Sequence, residues 1–292
     1  VWYRVAGRDR LGTPLLLLHG GPGGGHDYLI PLEPLARARP IVFFDQLGCG
    51  RSDKPEDASL WKIERYVREV EAVRKALGLD RIFLYGHSWG GWLAVEYMMS
   101  KPAGVVGLIL ASTSAGAPQF AREVTRLKQK LPARVLATLE KHEATGDLQN
   151  PEYEAATMEF YRRHVCRLDP WPEPLMRAMA NLMANPVPYV TIQGPNEFTV
   201  NGNLKDWDRT GRLGEIRVPT LITVGRHDEI TPACATTLKA GIPGSELVIF
   251  EKSAHMAMLE ETDRYLQVLE RFLRESDPGT TGSSSRGRTR RG

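Results

Sequence analysis

The sequence predicts an α/β fold: a mostly parallel, doubly wound sheet with an inserted helical cap. Three observations carry this. Short, near-continuously apolar runs recur along the chain, as strands buried on both faces of a parallel sheet require. Amphipathic helical patterns alternate with those runs. Residues 114–213 then break the alternation with helical patches and almost no strand signal.

The strands are expected at Val1–Val5, Leu15–Leu18, Ile41–Phe44, Ile82–Tyr85, Val105–Leu110, Thr220–Val224 and Glu246–Phe250. From Leu60, apolar residues recur at Ile63, Val67, Val70, Val73 and Leu77 with charges between them, and Gly78 marks the stop of a helix. Trp89–Met99 reads as a second helix, ended before Pro102, and Thr262–Leu273 as a last amphipathic one. Within the break, Gln119–Leu131 and Tyr153–Val165 are helical in pattern. The expected organisation is therefore a core of 1–113 with 214–275, a cap of 114–213, and a disordered tail of 276–292, where TTGSSSRGRTRRG is low in complexity.

The chain has 292 residues, of which 42% are hydrophobic and 25% charged, enough apolar content for a sizeable core. No apolar run approaches the roughly 18 residues of a membrane helix. The formal charge is +3, and residues 276–292 hold four Arg and one Asp, so the body is neutral. A neutral body argues against a nucleic-acid surface. Cys49, Cys166 and Cys234 are odd in number and widely spaced, which fits neither a disulfide framework nor a metal site. A reducing, cytoplasmic setting is expected, with no metal or organic cofactor. No signal peptide precedes the first strand-like run.

Gly86-His87-Ser88-Trp89-Gly90 follows a strand and opens a helix. A G-x-S-x-G in that context is a nucleophile elbow: a tight turn that exposes the serine hydroxyl, with glycines where side chains would clash. A serine hydroxyl needs a base, and the base an orienting acid. On such a sheet the order is Ser, acid, His. Asp228 follows the strand Thr220–Val224, with Glu229 as its rival. His255 follows the strand Glu246–Phe250 and is the only histidine C-terminal to Asp228. His142 and His164 fall in the cap as surface or packing residues, and His87 and His227 are read as structural. His19-Gly20-Gly21-Pro22-Gly23-Gly24-Gly25 follows the strand Leu15–Leu18. It lacks the Lys-Ser/Thr of a phosphate loop. It reads as an oxyanion loop, with N–H groups near Gly21 joining that of Trp89.

Together these residues resemble the α/β-hydrolase fold, and more narrowly the proline iminopeptidase family of serine aminopeptidases. The resemblance rests on His19–Gly24 (HGGPGG), on Asp45-Gln46-Leu47-Gly48-Cys49-Gly50-Arg51-Ser52, and on Gly86–Gly91. The block Gly194-Pro195-Asn196-Glu197-Phe198, followed by 203–208 (NLKDWD), is similar to the cap of the tricorn-interacting aminopeptidases. The resemblance covers nearly all of 1–273. Such proteins usually have another strand before the position of Val1, so a further N-terminal strand is expected upstream.

The resemblance implies release of an N-terminal residue, often proline, from short peptides or amides. It also implies that cap carboxylates hold the substrate's α-ammonium, and these match Glu197 and Glu229. A buried amine is costly unless paired with carboxylate, which agrees. An amino-acid amidase or esterase on the same residues, or a small-ligand receptor on a hydrolase scaffold, are the alternatives.

Overall fold

A computed structural model describes residues 1–277. Seven strands form one sheet: β1 (Tyr3–Ala6), β2 (Leu15–Leu18), β3 (Ile41–Phe44), β4 (Ile82–His87), β5 (Val105–Ala111), β6 (Thr220–Gly225) and β7 (Glu246–Phe250). Their spatial order is β1-β3-β2-β4-β5-β6-β7. All neighbours are parallel except β1, which pairs antiparallel with β3 and opens the edge. β2, β3 and β4 are buried throughout, whereas β1 is half-exposed.

Successive side chains of a strand point to opposite faces, and the core divides accordingly. Leu16, Leu18, Val42, Phe44 and Leu84 meet α1 (Ile63–Ala76) and α2 (Trp89–Met99) on one face. Leu15, Leu17, Ile41, Phe43 and Tyr85 lie on the other, against the turn of 3₁₀ helix Asp27–Arg37.

The expected cap is the run of helices between β5 and β6: α3 (Ala117–Lys128), α4 (Ala133–Thr145), α5 (Pro151–His164), α6 (Glu173–Ala184) and α7 (Val187–Ile192). After β6 come α8 (Pro232–Gly241), α9 (Ala257–Glu260) and α10 (Thr262–Glu275). The last two cover the second face, α9 through Ala257 and Met258 and α10 through Tyr265, Leu269 and Phe272. Polar clamps join these helices and the segment after them to the rest of the fold. Glu96 on α2 accepts from Trp207 Nε1 at 2.9 Å and from Arg209 Nε at 2.7 Å. Asn181 on α6 donates to Asp27 at 3.0 Å. The carbonyl of His164, ending α5, accepts from the N–H groups of both Glu229 and His255.

One boundary is corrected. The tail is expected from Ser276, but Asp277 is buried and belongs to the packed body. It accepts from Thr13 Oγ1 at 2.9 Å and from Arg39 at 3.2 Å. Arg39 is itself buried and needs a counter-charge. The rest of the expected tail, 278–292, lies outside the described residues. Among the described residues, no helix is long and apolar enough to cross a membrane.

Candidate active site

β4 runs into α2 through the turn at Ser88, whose φ of 56° lies in the left-handed region. A non-glycine residue held there costs on the order of 1–3 kcal/mol, and the turn persists because its surroundings fix it. A Cβ on Gly86 would overlap the carbonyl of Gly90, and one on Gly90 would overlap that of Leu18. Ser88 N–H donates to the Ala111 carbonyl at 3.0 Å, and Thr113 Oγ1 donates to the Ser88 carbonyl at 2.9 Å. Backbone on both sides of the serine is thereby anchored to β5 and the loop after it.

The acid and the histidine come from the C-terminal ends of β6 and β7, where sites gather in open α/β sheets. Asp228 Oδ1 lies 2.7 Å from His255 Nδ1 and also accepts from Ile230 N–H at 2.8 Å. Asp228, not its rival Glu229, is therefore the partner of Nδ1. Glu229 Oε1 stands 3.8 Å from His255 Nε2. Burial works to lower the pKa of His255, but the charge of Asp228 and its hydrogen bond, helped by Glu197, outweigh it and hold the imidazole above its ordinary value. No hydrogen bond joins Ser88 Oγ to His255 Nε2 among the described residues.

Two carboxylates meet beside these groups. Glu229 is 1% exposed, and its Oε2 has no hydrogen-bond partner. Burial pushes its pKa well up, with further contributions from the charges of Glu197 and Asp228. Glu197 accepts from Tyr189 Oη at 2.8 Å. Burial raises its pKa too, against the opposing bond from Tyr189. Glu197 comes from the segment after α7 and Glu229 from the loop after β6, so the fold brings together acids far apart in sequence.

Gly21, Ser88, Trp89 and Glu197 line one narrow pocket, walled by Trp92, Phe120 and Ile230. A larger groove bounded by Gly12, Arg39 and Arg274 shares none of these residues. Gly21 has φ 112°, and a Cβ there would come within 2.5 Å of Gly23 N. The carbonyl of Gly20 accepts from His19 Nδ1 at 2.9 Å and from Gly24 N–H at 3.3 Å. Because the peptide is planar and trans, this aims the Gly21 N–H the opposite way. The Trp89 N–H opens α2, where a helix's first N–H groups have no partner within the helix.

Sequence reasoning missed the residue that ties the loop after β2 to the indole of Trp89. Gln46 Nε2 donates to the His19 carbonyl at 2.9 Å, while Gln46 Oε1 accepts from Trp89 Nε1 at 2.8 Å. Its neighbour Asp45 accepts from His26 N–H and Nδ1, and from Arg51 N–H. The Asp-Gln pair directly after the apolar run Ile41–Phe44 was the available signal.

The sequence pattern of the alpha/beta hydrolase fold matches residues 13–262. The chain is 45% identical to the proline iminopeptidase of Saccharolobus solfataricus over 273 residues, covering 93% of this chain and 87% of the relative. It is 39% identical to that of Thermoplasma volcanium, covering 94% of each. The chain belongs to the proline iminopeptidase family of α/β hydrolases. Solved structures agree. The crystal structure of VinJ superposes with a TM-score of 0.91 at 38% identity, covering 94% of both chains. That of the proline iminopeptidase of Mycobacterium smegmatis gives 0.89 at 36%, covering 95% of both.

In this family member His142 and His164 are held by contacts. His142 is buried between Asp147 and Glu152. His164 Nδ1 donates to the His227 carbonyl at 2.8 Å. His19, Asp45 and Cys49 come close enough to hold a metal. Their atoms are already engaged: His19 Nε2 accepts from Gln46 N–H, and Cys49 Sγ donates to the Gln46 carbonyl. The trio braces the loop after β3 against the loop after β2.

Proposed function

We propose that the chain is a serine exopeptidase that releases an N-terminal residue, proline above all, from short peptides or amino-acid amides. Ser88 attacks the carbonyl of the first residue. His255 Nε2 takes the serine proton, then gives it to the leaving amine, so the amide C–N bond breaks as the acyl-enzyme forms. Asp228 holds the imidazole through Nδ1 and stabilises its protonated form. The N–H groups of Gly21 and Trp89 stabilise the tetrahedral oxyanion. Water, activated by His255, hydrolyses the ester and frees the amino acid. No step requires a metal or organic cofactor.

The observation that carries the exopeptidase reading is the acid pair. Glu197 lines the pocket with Ser88, and Glu229 is buried next to His255 with one oxygen unpartnered. Two buried acids, both raised in pKa by burial and Glu229 raised further by the charges of Glu197 and Asp228, call for a cation. A substrate's free α-ammonium, in proline a secondary ammonium, supplies it, and a blocked substrate does not. We take 114–213 as the cap that closes over this pocket. A reducing, cytoplasmic setting fits three cysteines that are all free and buried. Release of naphthylamine from Pro-naphthylamide, with Ser88→Ala as the control and a fluorophosphonate label on the serine, tests the reading. An unlabelled wild-type protein with no turnover would sink it in favour of a small-ligand receptor.

A further inference from the structure

His87, between Gly86 and the nucleophile, has no role in the reaction as written. It is 1% exposed, and both ring nitrogens are engaged. Nε2 lies 3.0 Å from the carbonyl oxygen of His255, and Nδ1 lies 2.9 Å from Tyr28 Oη. Tyr28 Oη in turn accepts from Gly20 N–H at 2.6 Å.

The donors can be assigned without ambiguity. A carbonyl only accepts, so Nε2 carries the proton. In the neutral ring Nδ1 is then an acceptor, so Tyr28 donates to it. A second proton on His87 would aim two donors, Nδ1–H and Gly20 N–H, at Tyr28 Oη and leave its own hydrogen without an acceptor. Burial and the charge of His255 oppose that proton as well. The chain of bonds thus runs one way, from Gly20 through Tyr28 and His87 to the main chain of His255.

This chain passes directly under the nucleophile. A Cβ on Gly20 would lie 2.9 Å from Ser88 Cβ, 3.0 Å from Tyr28 Oη and 3.3 Å from His87 Nδ1. The rings of His87 and His255 stand 4.7 Å apart, centre to centre. Its two ends are the residue before the oxyanion donor Gly21 and the residue that serves as general base. Those ends lie in separate loops, after β2 and after β7, and differ by more than 200 positions in sequence.

We propose that His87 and Tyr28 are positioning residues for the hydrolysis, forming a buried relay that holds the oxyanion loop and the general base in one register about Ser88. The proposal rests on the serine exopeptidase reading above. A donor or base displaced by a fraction of an ångström loses rate rather than ground-state affinity. Tyr28→Phe leaves Gly20 N–H and His87 Nδ1 without partners while keeping the ring.

The test measures kcat and KM for Pro-naphthylamide in Tyr28→Phe, His87→Gln, His87→Leu and the double variant Tyr28→Phe/His87→Leu. Fluorophosphonate titration of Ser88 counts competent sites, so that kcat is per folded enzyme. Tyr28→Phe is expected to lose about tenfold in kcat, equivalent to ~1.4 kcal/mol, with KM little changed. His87→Gln, which keeps a donor and an acceptor, should retain more activity than His87→Leu. The double variant should be no slower than His87→Leu alone, since both changes cut one chain. Wild-type kcat per titrated site in Tyr28→Phe, with only Tm lowered, would overturn the relay, as would losses that multiply in the double variant. If His87→Leu does not fold, titrated Tyr28→Phe and His87→Gln decide. A wild-type enzyme that fails to release proline would sink the exopeptidase reading itself, a result distinct from an active wild type with unaffected relay variants.

Discussion

Replacing Glu197 with Gln probes the proposed amine site with little change of shape. Gln keeps the volume, and its amide oxygen can still accept from Tyr189, 2.8 Å from Glu197 Oε1 in the native enzyme. One negative charge facing the substrate ammonium is lost. A unit charge pair about 4 Å apart is worth roughly 4 kcal/mol at an effective dielectric near 20. Part of that is recovered. The charge of Glu197 helps raise the pKa of Glu229, so its removal lets Glu229 ionise more readily and meet the ammonium as a full carboxylate. A net loss of about 3 kcal/mol remains, or ~100-fold in kcat/KM. The assay compares Pro-naphthylamide, its N-acetylated form and p-nitrophenyl acetate in wild-type and Glu197→Gln enzymes. Wild type should cleave the free-amine substrate and neglect the acetylated one, because acetylation leaves both buried acids without a cation. Glu197→Gln should lose the free-amine activity and keep the ester activity, since the ester has no amine to lose. Equal kcat/KM for acetylated and free substrates in wild type, or a Glu197→Gln enzyme unchanged on Pro-naphthylamide, would refute the reasoning and favour a general esterase.

Three further outcomes are expected. Ser88→Ala and His255→Ala should each lower kcat by several orders of magnitude with the fold intact by circular dichroism, and the double variant should be hardly worse, because the residues act as a unit; near-native turnover in either single variant would unseat the assignment. The imidazole of His255 must be neutral to act as base and is held above its ordinary value of 6.5, so kcat/KM should fall as pH drops through a point above 6.5; Asp228→Asn removes what raises it and should move this acid limb to lower pH while reducing kcat, and a limb that stays in place would contradict the pairing. Truncation after Glu275 should lower Tm by several degrees relative to truncation after Asp277, because it leaves buried Arg39 with only the carbonyls of Thr13 and Leu273, a cost of about 3 kcal/mol; equal melting curves would show that the Asp277 contact contributes nothing.

Much of the architecture was legible in the amino-acid sequence. Leu15–Leu18, Ile41–Phe44 and Glu246–Phe250 are strands over the ranges their apolar runs suggest, and Trp89–Met99 is a helix from end to end. Ser88, Asp228 and His255 could be proposed because each comes within five residues of the end of such a run, and strand ends are where this kind of sheet collects its polar groups. The small-residue helix α8 was not distinct, since Pro-Ala-Cys-Ala-Thr-Thr carries little amphipathic signal. Nor was the antiparallel direction of β1, because an apolar run looks the same in either direction.

What the sequence determined by itself is which segments are buried and on which face, because burial repeats with the period of the backbone and a repeat can be read locally. What only the tertiary structure decided is which polar groups meet. Asp228 rather than Glu229 bonds His255. Gln46 bridges the loop of His19 to Trp89. Glu197 reaches the pocket of Ser88 from the segment after α7, Asp277 neutralises Arg39, and Tyr28 links Gly20 to His87. Each is a single contact between residues with no periodic signature, and its energy depends on distance, direction and exclusion of water. Those quantities come into being only when the apolar faces have packed and brought distant loops together.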